Sequence, residues 1–234
     1  MEELYTTWKA IGVAGGDLSF FQDFFVKFYQ AFIEGDRWLQ YLNGVKTTLL
    51  VTALALILGI VLGVLVAMLR TAHDQQRPGH RNPILAVLNL ICKVYVTVIR
   101  GTPMLVQLFI WTFVIFPSVR NKVLIGFIGL GVNSGAYVAE IVRGGLMSVD
   151  IGQSEASRSL GMNYLDTMRF IVVPQAFKNI LPSLGNEFII LLKDTSLITV
   201  IGGKELLYAA QGIMNRTYDA MFPLLGVAAI YLVL

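Results

Sequence analysis

From Thr47 to Leu69 the chain runs for 23 residues without a charge, and this run constrains everything else it can fold into. At about 1.5 Å per residue a helix of that length reaches about 34 Å, enough to cross a hydrocarbon core of about 30 Å. Arg70 closes the run. Arg77 and Arg81 follow in a polar loop that also holds Pro78, Gly79 and Pro83. A secretory signal is a poor reading: about 45 residues with six acids precede the run, and the apolar stretch is too long. The whole chain of 234 residues agrees with a membrane setting, being 56% apolar and 14% charged where soluble domains average about 45–50% and about 25%. Disorder is excluded by the same numbers. The net charge is only +3 and no basic run occurs, so no nucleic acid is expected as a partner. Cys92 is the single cysteine, which excludes an internal disulfide and a cysteine-clustered metal site.

The other apolar stretches carry charges. Residues 82–119 include Lys93 and Arg100, residues 123–139 are uncharged and lead into Glu140 and Arg143, residues 180–202 carry Glu187, Lys193 and Asp194, and residues 220–234 are uncharged. We therefore expect an all-α membrane protein with about five spans, roughly 44–70, 84–117, 123–146, 180–202 and 218 onward. The last lacks a polar terminator, so either the natural chain continues or it stops inside a helix. Lys and Arg number six in segments 70–83 and 147–179 against four in 117–122 and 203–217. That bias puts the first pair in the cytoplasm, the N-terminus outside and the C-terminus inside.

Ahead of the first span, Phe20, Phe21, Phe24, Phe25, Phe28 and Phe32 recur at helical spacing with Gln22, Asp23, Lys27 and Gln30 between them. Two readings stay open for Phe20 to Leu42. It is an amphipathic helix in the membrane interface with Trp38 and Tyr41 at headgroup level, or a helix packed on the protein's own spans. The chain thus divides into an N-terminal segment, 1–42, and a transmembrane domain, 43–234.

Within that domain the segment 147–179 is too polar to span and too patterned for a plain loop. Gln153 to Leu160 favours a short helix, and Gly161 suits the left-handed stop that follows one. Asn163 then suits an N-cap with Asp166 at N3, and Pro174 predicts a break or kink after Val173. Helix, sharp turn and helix on the cytoplasmic side form an element able to dock into another protein.

Glu155-Ala156-Ser157, three residues, Gly161, nine residues, Ile171, then Val173-Pro174 resembles the EAA motif of ABC-importer permeases, with Ser157 and Val173 departing from it conservatively. Arg100-Gly101-Thr102-Pro103 with Gln107, the stretch 134–140, and Leu192-Lys193-Asp194-Thr195-Ser196-Leu197 narrow the resemblance to permeases of polar amino-acid uptake. The resemblance covers about 42–234. It implies the importer-permease fold in the bacterial cell membrane. It also implies a coupling helix in which Glu155, Ala156, Ser157 and Gly161 meet a cytoplasmic ATPase. Two ATPase subunits, a second permease copy (identical or similar), an external amino-acid-binding protein and membrane lipid complete the expected assembly.

No Walker A string occurs and Gly203-Lys204-Glu205 lacks its spacing, so this chain is expected not to be an enzyme. It should carry no cofactor and no catalytic residues, with ATP and magnesium on the partner ATPase. His73 and His80 read as loop histidines rather than a metal site. Glycines 126, 129, 131, 135, 144 and 145 read as close-approach positions between helices. The intramembrane charges are the candidates for substrate contact. Glu140 either pairs with Arg143 one turn away or meets a substrate ammonium. Asn186, Glu187, Lys193, Asp194 and Thr195 form a stripe with the mixed chemistry an amino acid needs, or some of them solvate a helix end. Arg100, before the Thr102-Pro103 interruption, either binds a carboxylate or locks to an acid of another span. A stand-alone channel or ion-coupled carrier would explain the charges without the docking element, and an integral-membrane enzyme lacks a catalytic constellation.

Overall fold

The computed structural model describes residues 1–76 and 82–234. Arg77, Pro78, Gly79, His80 and Arg81 lie outside the described residues, and the loop features read on them stay expectations. Among the described residues every regular element is helical: α1 Glu2–Val13, α2 Phe20–Phe32, α3 Arg37–Asp74, α4 Pro83–Gly101, α5 Met104–Phe109, α6 Lys122–Met147, α7 Ile151–Ser159, α8 Tyr164–Thr167, α9 Val173–Asp194, α10 Leu206–Thr217 and α11 Met221–Val233. Three helical stretches, 34–74, 83–101 and 122–147, are long and apolar enough to cross a membrane.

The chain forms two compact units, residues 1–50 with 196–234, and residues 51–195. In the first, Tyr41, Leu206, Ala210, Ile213 and Val227 make a buried core. The expected single helix over Phe20 to Leu42 is two, because Gly35 (φ 62°) and Asp36 (φ 54°) turn the chain through left-handed backbone. Tyr41 is correspondingly no headgroup anchor. It is buried on α3 with its ring 5.5 Å from that of Phe32. Phe20 and Phe21 remain about four-fifths exposed, whereas Phe24 and Phe28 meet Phe222 of α11. The α2 helix therefore has a packed face and an open apolar face. Ahead of it lies α1. It is held by Glu34, whose carboxylate accepts from Tyr5 Oη and Lys9 Nζ, each at 2.6 Å.

In the second unit α3 and α6 approach closely. A Cβ on Gly59 would lie 2.6 Å from Ser134 Oγ, and one on Gly63 would lie 2.6 Å from Val138. Small residues four apart let two apolar helices bring their backbones together, which is how helices associate in lipid. The glycine reading holds at 131, 135 and 145, where a Cβ would meet Leu58, Tyr95 with Leu62, and Ile180. It fails at Gly144, which faces open space. Ala67, Val138, Val142, Ala176 and Ile180 fill the core between α3, α6 and α9.

The span expected over 84–117 is interrupted. Thr102 is extended (φ −119°, ψ 144°) between α4 and α5, as the residue before a proline prefers. The chain then continues through a wide π-turn over Ile110–Ile115. Around Pro174 a π-turn over Met168–Val172 absorbs the change of course, and α9 begins there with the proline in its first turn.

Candidate functional site

The segment between α6 and α9 is built as its composition suggests. Asp150 caps α7 by accepting from Gly152 N at 2.6 Å. At the other end Gly161 has φ +83°. Gly161 N donates to Arg158 O at 3.0 Å and Met162 N to Ser157 O at 3.1 Å. Those two bonds are the paired closure of a Schellman motif. Asn163 Oδ1 then accepts from Asp166 N at 2.9 Å, and Asn163 Nδ2 donates to Asp166 Oδ2 at 2.7 Å. The Asp166 carboxylate thus returns to the side-chain amide of Asn163 rather than to its backbone. Glu155 and Ala156 are exposed, as are Ile151, Leu160 and Leu165 at 74–84%. Ser157 differs from the other motif residues: it is buried and donates to Gln153 O at 2.6 Å. Its small size seats α7 on its own chain. Between α7, α8 and the ends of α3 and α6 lies a cavity of about 860 Å³, lined by Asp74, Gln75, Arg143, Arg158, Tyr164 and apolar side chains.

Glu140 is not paired with Arg143. Its carboxylate is bound by Arg70 of α3, and Arg100 of α4 stands 3.9 Å away. Arg100 also lies over the Tyr137 ring at 5.2 Å. Arg143 pairs instead with Asp74 at 3.0 Å. The structure therefore gathers Arg100 and Glu140 into one interhelical cluster, in the manner of the lock reading. It adds Arg70, which the sequence offered only as the end of the apolar run, and Asp74 at the end of α3. The rise per residue of a helix puts Arg70 and Asp74 one turn apart, but nothing local shows that this turn faces α6.

On α9, Glu187 is buried against the Ser134 hydroxyl, and Asp194 is half-buried two turns further along. Lys193 is exposed, and Thr195 is fully buried with its hydroxyl donated to Leu192 O at 2.6 Å. Glu187 and Asp194 thus lie along one side of α9, with Thr195 just past its end, apart from the Glu140 cluster.

At the α4–α5 interruption Gln107 closes the open backbone. Its Nε2 donates to Ile99 O at 2.8 Å, Thr102 Oγ1 at 2.8 Å and Thr102 O at 3.1 Å. In the first unit a further acid escaped the sequence reading. Glu205, 1% exposed, accepts from Thr199, from Tyr208 N at 2.9 Å, from Tyr231 Oη at 3.0 Å and from Thr48 at 3.3 Å. It caps α10, after Gly202 (φ 84°) has ended the preceding turn. A glutamate at that place carries no local signal that the hydroxyls of Thr48 and Tyr231, from other helices, and of nearby Thr199 converge on it.

Apolar helices with interhelical charge clusters, interrupted by a doubly capped polar helix–turn–helix, define a membrane-embedded transport subunit. The chain belongs to the family described as the binding-protein-dependent transport system inner membrane component, which it matches over residues 84–234. It is 36% identical over 214 residues to a putative glutamine transport system permease protein of Rickettsia typhi, covering 90% of each chain. It is also 38% identical to the glutamine transport system permease protein of Escherichia coli K12 over 63% of this chain and 69% of that one. Among solved structures it is similar to an amino acid ABC transporter crystallised with histidines (40% identity, TM-score 0.74, 83% of this chain and 86% of that one). An inward-facing MetNI methionine ABC transporter shares the fold at 20% identity (TM-score 0.68, 86% and 94%).

Proposed function

We propose that this chain is the membrane-spanning subunit of an ATP-driven importer of a polar amino acid, lining the pathway as a dimer with a second permease copy. The observation that carries this reading is the exposed α7 helix with its Gly161 stop, set between apolar helices in a chain of this family. Glu155 and Ala156 present an exposed, acidic, small-residue surface suited to a groove on an ATPase. Hydrolysis of ATP with magnesium then occurs on that partner and not on this chain. Relatives named for glutamine transport support an amino-acid substrate delivered by an external binding protein. Five crossings of the cell membrane, with the N-terminus outside and the C-terminus inside, fit the loop charges and put α7 in the cytoplasm.

For the substrate, Asp194 and Glu187 with Thr195 are the better-placed candidates. Glu140 already has two arginines around it, so a substrate ammonium would have to displace one of them. The test is co-purification with an ATPase subunit and reconstitution with the binding protein. ATP hydrolysis stimulated by loaded binding protein, together with amino-acid uptake, is the expected result. Uptake without an ATPase would instead establish a carrier or channel.

A further inference from the structure

Two side chains of α6, Asn133 and Glu140, are seven residues apart and so lie two turns along one face. They reach the helix interruption from its two sides. Glu140 faces Arg100, just before the break, and Asn133 donates to Gln107, just after it, at 3.1 Å. The break is therefore held on α6 by one ionic and one amide contact. From Glu140 the polar contacts continue toward the docking element. Arg70 binds Glu140. One turn on, Asp74 accepts from Arg143 at 3.0 Å, and the adjacent Gln75 accepts from Tyr164 Oη at 2.5 Å. Tyr164 begins α8, immediately after the Gly161 turn.

We propose that Tyr164–Gln75, Asp74–Arg143 and Arg70–Glu140–Arg100 form a relay that converts displacement of the α7–α8 element into a change at the 101–103 break. This makes them positioning residues for transport, and it rests on the coupling role proposed for α7. Arg70 has 13% side-chain exposure and Glu140 32%. Separating them strands a charge of low solvent access, a penalty far above that of an exposed pair. The linked groups therefore move together, and the compliant point is the backbone at Thr102, which has left the helical ladder. A local displacement transmitted through packed and bonded elements needs an element with two arrangements at its end, and the proposal gives that role to the 101–103 break.

The experiment uses the complete importer, reconstituted with its ATPase and binding protein, and reads amino-acid molecules transported per ATP hydrolysed. Asp74→Arg and Arg143→Asp each lower that ratio about 2- to 30-fold, the range for residues along a coupling network, and the double exchange restores it. Single variants with an unchanged ratio, or a double variant that assembles but stays uncoupled, would overturn the relay. Should the charge variants not assemble, Tyr164→Phe and Gln75→Leu decide: a lowered ratio supports the relay and an unchanged one overturns it. If no ATPase binds the unaltered chain, the coupling role itself fails, and that result is distinct from the others.

Discussion

Gln107 and Asn133, 26 residues apart in sequence, share a buried amide–amide hydrogen bond of 3.1 Å. The same Gln107 amide nitrogen satisfies Ile99 O and Thr102 O, the carbonyls opened by the Thr102-Pro103 interruption. Backbone that leaves the helix at membrane depth is tolerated only when its polar groups find such partners. Removing Gln107 strands those carbonyls and Asn133 together.

Gln107→Leu is therefore expected to lower stability by about 1–3 kcal/mol, the cost of unsatisfied buried polar groups. Asn133→Leu in the same background should cost little more, because the partner it abandons is already gone. Thermal unfolding of the purified protein in detergent checks this. Additive losses from the two changes would show that the contact does not link the break to α6.

At the Gly161 turn the constraint is conformational and not spatial. A Cβ on Gly161 would meet nothing within 4 Å, yet its φ of +83° is hostile to any other residue. Gly161→Val should abolish the Schellman closure, costing about 1–2 kcal/mol for the left-handed backbone, and misplace Glu155 and Ala156. Binding-protein-stimulated ATP hydrolysis should collapse while membrane insertion persists. Normal stimulation in a well-inserted Gly161→Val variant would remove the docking role of this segment.

Substrate contact by an α9 acid has its own signature. Asp194→Asn or Glu187→Gln keeps shape and hydrogen-bonding capacity but removes the charge. Loss of a charge-assisted bond of roughly 1.5–3 kcal/mol raises the apparent Kd for uptake about 10- to 100-fold without lowering yield. Asp194, half-buried, should show the larger effect. Unchanged uptake in both variants would assign recognition to backbone groups and hydroxyls such as those of Thr195 and Ser196.

Topology is open to labelling. In a Cys92→Ser background, Leu165→Cys, at a position 75% exposed, should resist a membrane-impermeant thiol reagent applied to right-side-out cells. Ser118→Cys, also exposed, should react. The opposite pattern would invert the chain and take α7 away from the cytoplasm.

Several features of this protein were settled by the sequence alone, because they depend on residues close along the chain. The uncharged run from Thr47 to Leu69 requires a crossing helix, Gly161 requires a stop, Asn163 requires a start, and Thr102-Pro103 requires an interruption. Helical spacing put Glu187 and Asp194 on one face, and α9 has them so. Tertiary structure alone decided what each face meets. Glu140 had Arg143 within one turn, but the rotation of α6 against α3 turned it to Arg70, seventy positions earlier, and gave Arg143 to Asp74. Tyr41 looked amphipathic enough for the interface and was instead buried against Phe32, because Gly35 and Asp36 fold α2 back onto α3. Glu205 sits in an unremarkable stretch until Thr48, Thr199 and Tyr231 converge on it. Periodicity fixes the direction of a side chain relative to its own helix axis. The crossing and rotation of neighbouring helices, set by close contacts such as Gly63 on Val138, choose its partner.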